Sequence, residues 1–253
     1  MSRRSPDREF VPPVARYRMR YTKSGRARFA SHRDFQRALE RALRRAEVPM
    51  AYSAGFNPHP KVSYANAAPT GAASHAEYVE IGVMRVFDPS WLQEQLTSAL
   101  PRGFAIAEVV TVQTANFAER LAAAQWHIAL PGVPSTAGAA AVAALLAQEH
   151  VEVARMTKKG VRTFDIRDSV VDLACTPDDQ GYAILTLVVR HGTPAVRPDD
   201  IVVGLTQVAA LVPPLPAVLT RLAQGPLAAD RRSVLDPLQP DRVGQAADIG
   251  LAH

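Results

Sequence analysis

From residue 16 the chain alternates strictly: Arg16, Arg18 and Arg20 fall on one side, Tyr17, Met19 and Tyr21 on the other. A period of two predicts a half-buried strand. The period then changes. Phe35, Ala38, Leu39, Ala42, Leu43 and Ala46 recur at intervals of three and four, the spacing of one helix face. Ser31 and Asp34 stand at the spacing of a capping box at its start, and Pro49 lies just beyond its end. A short strand is predicted near Lys61–Ala65 and a longer one at Glu77–Val86. Asp88-Pro89 opens a second helix running to about Leu100, with Asp as N-cap and Pro in the first turn. A strand at Phe104–Val112 completes the order β-α-β-β-α-β.

The same order recurs downstream. Trp126–Leu130 reads as a strand and alanine-rich Thr136–Gln148 as a helix. A long bent strand or hairpin follows from Val151 to Cys175, and Tyr182–Arg190 is an apolar, β-branched strand. Arg197-Pro198-Asp199-Asp200 opens a helix to about Leu211. Pro216–Leu222 suits a strand or a short helix, and a strand completes the repeat. The pattern predicts an α+β fold of two tandem ferredoxin-like subdomains, 15–115 and 120–225. Both ends, 1–14 and 226–253, are polar or proline-broken and are expected to be disordered tails.

Charge changes the picture more than composition does. The net charge is +5, yet residues 1–48 alone hold 14 basic and 5 acidic residues. All of the positive surplus sits in the first fifth of the chain, which suggests a polyanionic partner. Arg33, Arg37, Arg41 and Arg45 recur every fourth residue, with Arg44 beside them, away from the apolar helix face. Arginine grips phosphate bidentately, so this row suits a nucleic acid backbone. Arg16, Arg18 and Arg28 extend the basic set, and Lys158 and Lys159 mark a second basic patch.

The densest run of candidate residues is Arg28-Phe-Ala-Ser31-His32-Arg33-Asp34, followed by the loop Tyr52-Ser53-Ala-Gly55-Phe56-Asn57-Pro58-His59-Pro60. Two prolines restrict the backbone on both sides of His59, and Gly55 permits a turn. His32 lies in the first turn of the arginine-bearing helix. Two histidines of this kind are candidates for a general acid and base, as in metal-independent RNA cleavage. The spacing of His32, His59 and His75 matches no zinc pattern, and no metal site is expected. Walker, G-x-G-x-x-G and G-x-S-x-G signatures are absent. No apolar run reaches the ~20 residues of a membrane span. No apolar stretch follows the N-terminal Met-Ser-Arg-Arg-Ser-Pro-Asp, and the one cysteine, Cys175, excludes an intramolecular disulfide. A cytoplasmic location is expected.

The run from Tyr21 to Met84 resembles the radical-SAM-linked family, a bacterial domain of unknown function. The resemblance rests on Gly25, Arg28-Phe29, Ser31-His32, Asp34, Arg37, Arg41-Ala42, Arg44-Arg45-Ala46 and Pro49. It continues through Tyr52-Ser53, the run Gly55 to Pro60, Gly71, Ser74 and Glu77-Tyr78, and more loosely through Lys158-Lys159 and Val196 to Asp199. The match extends over about 16–225. It implies a domain that stands alone or is fused behind a cobalamin-binding radical SAM protein, encoded near an RNase E/G-type ribonuclease. It carries no catalytic residues over. One cysteine cannot hold a radical SAM cluster, so no cofactor is expected on this chain and any cluster lies on a partner.

Three functional expectations follow. The first is an RNA-binding accessory module that presents tRNA or rRNA to a radical SAM enzyme on a separate chain. Its arginine row would contact phosphates, and Ser31, His32, Asp34 and the Tyr52–Pro60 loop would line the specific site. The second is an endoribonuclease using His32 and His59. The third is a protein-docking adaptor that touches no RNA.

Overall fold

The structure is a computed structural model that describes residues 11–54, 56–157 and 160–242. Gly55, Lys158, Lys159 and the outer parts of both expected tails (1–10 and 243–253) lie outside the described residues. The chain is mixed α+β, with a large mixed sheet and few helices. It divides into two compact units. One holds the described parts of 1–71, 75–117 and 238–253, the other 72–74 and 118–237. No helix among the described residues is long and apolar enough to cross a membrane.

In the first unit the alternating run forms β1 (Ala15–Lys23), and a tight 3-10 turn covers Gly25–Phe29. Helix α1 (His32–Arg45), β2 (Val62–Ala65), β3 (Ala73–Val83), α2 (Pro89–Ala99) and β4 (Phe104–Thr111) follow. The sheet order is β4-β1-β3-β2. β1 pairs antiparallel with β4, Tyr17 opposite Thr111, and β2 with β3, Val62 opposite Ile81. Tyr17, Met19 and Tyr21 are buried against Phe35, Leu39 and Leu43 of α1 and Leu92 and Leu96 of α2. The Tyr21 and Phe35 rings stack at 3.8 Å. A buried hydroxyl needs partners. The Tyr17 hydroxyl donates to the Phe87 carbonyl and accepts from the Phe87 amide, each at 2.7 Å. That contact fixes the chain where it turns into α2.

A short helix α3 (Phe117–Arg120) opens on the last residue of the 75–117 stretch, and in the second unit β5 (Ala123–Pro134) and α4 (Ser135–Leu146) follow. The expected long hairpin is divided into β6 (Glu152–Thr157), β7 (Gly160–Asp165) and β8 (Val170–Pro177). β9 (Tyr182–Arg190), α5 (Pro198–Ala209) and β10 (Val218–Gly225) complete it. The sheet order is β10-β5-β9-β8, all antiparallel, with β6 and β7 forming a separate two-stranded sheet. The ambiguous 216–222 stretch is a strand. Residues 72–74 at the start of β3 pair with β10 in parallel, Thr220 opposite Ala73.

Two helices of this unit approach their neighbours through glycine. A Cβ at Gly138 of α4 would stand 2.9 Å from the Cys175 sulfur, and one at Gly204 of α5 would stand 2.6 Å from Ile166. Both are closer than side-chain carbons tolerate, so a larger residue would force the helix or the side chain it meets to shift. Cys175 is half-buried, its thiol donating to the Ser135 carbonyl, and burial pushes it up from its ordinary value. A raised thiol is a poor nucleophile, which suits a packing role on β8.

The hairpin is tied off by His150, whose Nδ1 lies 2.7 Å from the Asp165 carboxylate. That hydrogen bond, with the charge behind it, holds His150 above its ordinary value of 6.5. The pair therefore contributes stability fully below pH 6.5, lost as pH rises through the raised value. In an NMR titration His150 is expected to titrate above 6.5, and Asp165→Asn to bring it back towards that value. An unchanged midpoint in the variant would contradict the pairing.

The expected tail at 226–253 is corrected for its described part. Leu227 bridges Val234, the Leu235 amide donates to the Pro226 carbonyl, and Leu238 and Asp241 are fully buried. The stretch lacks periodicity because it is held by single contacts rather than by a repeating face. Asp241 is the main one, as its surroundings in the first unit make plain.

Candidate nucleic-acid interface

Helix α1 begins as its sequence demands. The Ser31 hydroxyl accepts from the Asp34 amide at 3.2 Å, and the Asp34 carboxylate accepts from the Ser31 amide at 2.9 Å. Hydrogen bonds from the Ser31 side chain and backbone, with Arg37 adding to them, hold the Asp34 carboxyl below its usual range. The cap satisfies amides that the first helical turn leaves without partners. Ser31→Ala is expected to lower folding stability by about 1 kcal/mol in urea denaturation. A change within error would show that the helix start is held by other contacts.

With Phe35, Ala38, Leu39, Ala42 and Leu43 turned into the core, the arginines face solvent. Arg33, Arg37, Arg41, Arg44 and Arg45 are all exposed, and none has an ion pair among the described residues. The helix carries five arginines against Asp34 and Glu40. Residues four apart rise about 6 Å along the axis, so the row is a ladder of guanidinium groups at near-regular intervals.

The strand arginines are disposed differently. Arg18 is only 2% exposed and cannot serve as the expected phosphate contact. Its Nε donates to Glu80 at 2.9 Å and its Nη1 to Asp241 at 2.6 Å. Its Nη2 donates to the Thr114 carbonyl at 2.7 Å, and the guanidinium lies over the Phe117 ring. Asp241 also accepts from the Gln113 and Thr114 amides and the Thr114 hydroxyl. Burial pushes the Asp241 carboxyl up, but these bonds outweigh it and hold it below its usual range. Arg16 pairs with Glu80 at 3.4 Å, and Arg20 with Glu108 at 3.4 Å. The sheet face that sequence alternation marked as basic is thus neutralised from within. A buried guanidinium needs such partners, and they come from Glu80 and from a residue 223 positions away.

Near the second basic patch, Arg155 of β6 is structural. Arg155 donates to Asp200 at 2.7 Å and to the Ala195 carbonyl, pinning the start of α5. Lys158 and Lys159 lie outside the described residues.

The Tyr52–Pro60 loop is closed by backbone contacts. The Ser53 amide donates to the His59 carbonyl at 2.8 Å, the His59 amide to the Ser53 hydroxyl at 3.0 Å, and Tyr52 bridges Pro60. Tyr52, Phe56 and Asn57 are exposed, while Ser53, Pro58 and Pro60 are half-buried. Gly55 falls outside the described residues. His59 lines a groove of about 640 Å³ with Pro12, Pro13, Arg16, Ser63 and Glu80.

His32 stands elsewhere. Its ring packs edge-on against Tyr64 at 4.7 Å, and Gln36 Nε2 lies 3.1 Å from His32 Nε2. Burial pushes the Tyr64 hydroxyl well up, with the Glu40 charge adding to it. Tyr64 packs on the core with Phe35. Its neighbour Ser63 and the strand partner of Ser63, Glu80, line the His59 groove instead. The two histidines therefore sit on opposite faces of the β2–β3 pair. An acid and a base acting on one phosphate must both reach it, and this geometry does not bring them together.

Sequence reasoning missed Phe29. It is 60% exposed at the end of the 3-10 turn, with the Arg28 guanidinium 4.7 Å from its ring centre. Its place two residues before the Ser31 cap was the available signal.

The family described as "Uncharacterized protein conserved in bacteria (DUF2344)" matches residues 16–198. The chain belongs to this family. The match takes in all of α1, its cap, the Tyr52–Pro60 loop and much of the second unit, so the exposed arginine face lies inside the family's own domain. No curated protein matches the chain.

Proposed function

We propose that the protein is an RNA-binding accessory module, acting in RNA modification or processing with a radical SAM enzyme carried on another chain or domain. One observation carries the RNA reading: the sorting of arginines. Those on β1 are consumed by Glu80, Glu108 and Asp241, whereas the five on α1 are left in water without ion pairs among the described residues. An unneutralised ladder at helical spacing suits a polymer with repeated phosphates better than a single small anion. The radical SAM half rests on the family resemblance and on the lone Cys175, which cannot hold an iron–sulfur cluster by itself.

We read the two units as two copies of one split β-α-β design. In support, each sheet runs in the order fourth, first, third, second strand, with its helices following the first and third.

The test is crosslinking in native extract, followed by identification of what is attached. RNA joined to peptides of α1 supports the reading. Crosslinks to protein alone, surviving nuclease and high salt, would favour a docking adaptor and overturn it.

A further inference from the structure

Phe29 is an aromatic ring exposed to water at the end of a turn whose backbone is tied at several points. The turn at Gly25–Phe29 is seated on Gly103, where a Cβ would stand 2.7 Å from the Ser24 carbonyl oxygen and 2.8 Å from the Ala27 side chain. Ala27 is buried beneath it. The Ser24 amide donates to the Gly103 carbonyl at 2.8 Å, the Gly71 amide to the Arg28 carbonyl at 2.7 Å, and the Ala30 amide to the Ala27 carbonyl at 2.9 Å. The chain then enters the Ser31 cap directly. Phe29 is thus gripped on both sides, yet its ring remains 60% exposed. An exposed aromatic ring with a cation on one face, close in sequence to the arginines of α1, has the chemistry of a base-stacking site.

The ring has one face occupied. The Arg28 guanidinium lies 4.7 Å from the ring centre, within cation–π range. A flat π-system laid on the other face would complete a stack of guanidinium, ring and ligand. Nucleobases stack in this way once they are unpaired, whereas bases inside a duplex present only their edges. Arg33 stands in the first turn of α1, two residues past the Ser31 cap, and Arg37 and Arg41 continue the row.

We propose that Phe29 is a stacking platform for an unpaired base, so that the α1 face takes single-stranded RNA in preference to duplex. The inference rests on the RNA reading above and adds to it the class of RNA bound. Arginines hold the backbone without regard to sequence, and Phe29 holds one base without regard to its identity.

The experiment compares Phe29→Ala and Phe29→Trp with the unaltered protein, using fluorescence anisotropy. The probes are a single-stranded oligoadenylate, a duplex RNA of equal length, and an abasic single strand. Phe29→Ala is expected to weaken oligoadenylate binding about five- to a hundredfold. The slope of log affinity against log salt stays unchanged, because no phosphate contact is lost. Phe29→Trp binds at least as well as the unaltered protein. The abasic strand binds the unaltered protein no better than oligoadenylate binds Phe29→Ala. Equal binding of oligoadenylate by Phe29→Ala and the unaltered protein, with Arg37→Glu/Arg41→Glu still weakening it, would overturn the platform and leave the RNA reading intact. Absence of binding to every RNA at low salt would overturn both.

Discussion

Replacing Asp241 by alanine is expected to lower folding stability by about 3 kcal/mol, read as a shift in the urea denaturation midpoint. Asp241 is fully buried and accepts at least four hydrogen bonds, one of them from buried Arg18 at 2.6 Å. Removing one member of a buried ion pair leaves the other charge uncompensated, which costs about 3–5 kcal/mol. The value falls at the low end because Glu80 still holds the Arg18 Nε at 2.9 Å. The double change Arg18→Met/Asp241→Leu should recover part of the loss, since an apolar pair of similar size replaces a buried ion pair at little cost. The sign of the pH effect follows from the lowered Asp241 carboxyl. Its contribution is present above the ordinary value of 3.8 and is lost as pH falls through the lower folded value. A single variant within 1 kcal/mol of the unaltered protein would show that the 238–242 segment does not anchor the first unit.

Charge reversal on α1 carries the second large effect. Arg37→Glu/Arg41→Glu is expected to weaken RNA binding on the order of a hundredfold near 0.1 M salt, through two lost phosphate contacts and the repulsion that replaces them. Thermal unfolding should barely change, because both side chains are exposed and neither has an ion pair among the described residues. Arg16→Gln serves as the contrasting variant. Arg16 sits beside Glu80 on the neutralised face, so its loss should alter affinity by no more than about twofold. Equal losses for the two variants would mean that the sheet face and the helix face cannot be distinguished as ligand surfaces.

The local parts of this account were legible in the sequence. Alternation placed Tyr17, Met19 and Tyr21 in the core, and the Ser31–Asp34 spacing located the first turn of α1, because each depends only on neighbours in the chain. The five helix arginines were legible for the same reason, as the complement of a clear apolar face. The β1 arginines were not. Their alternation with buried residues implied solvent, but Arg18 is buried by Asp241, 223 residues on, and no local pattern encodes such a partner. The fate of 226–242 was hidden for the same reason. His32 and His59 lie 27 positions apart, yet strand pleating sends the side chains around them to opposite faces. Phe29 looked like any apolar residue near a helix start, and only the 3-10 turn shows that its ring is left in water.

The central claim is that the α1 arginines bind RNA phosphates. The most direct measurement is the slope of log affinity against log salt for single-stranded RNA, in the unaltered protein and in Arg37→Glu/Arg41→Glu. The account predicts a steep fall of affinity with salt, and a slope shallower by about 1.4 in the variant, or about 1.8 on duplex. Two proteins with the same slope, or no RNA binding at low salt, would contradict it.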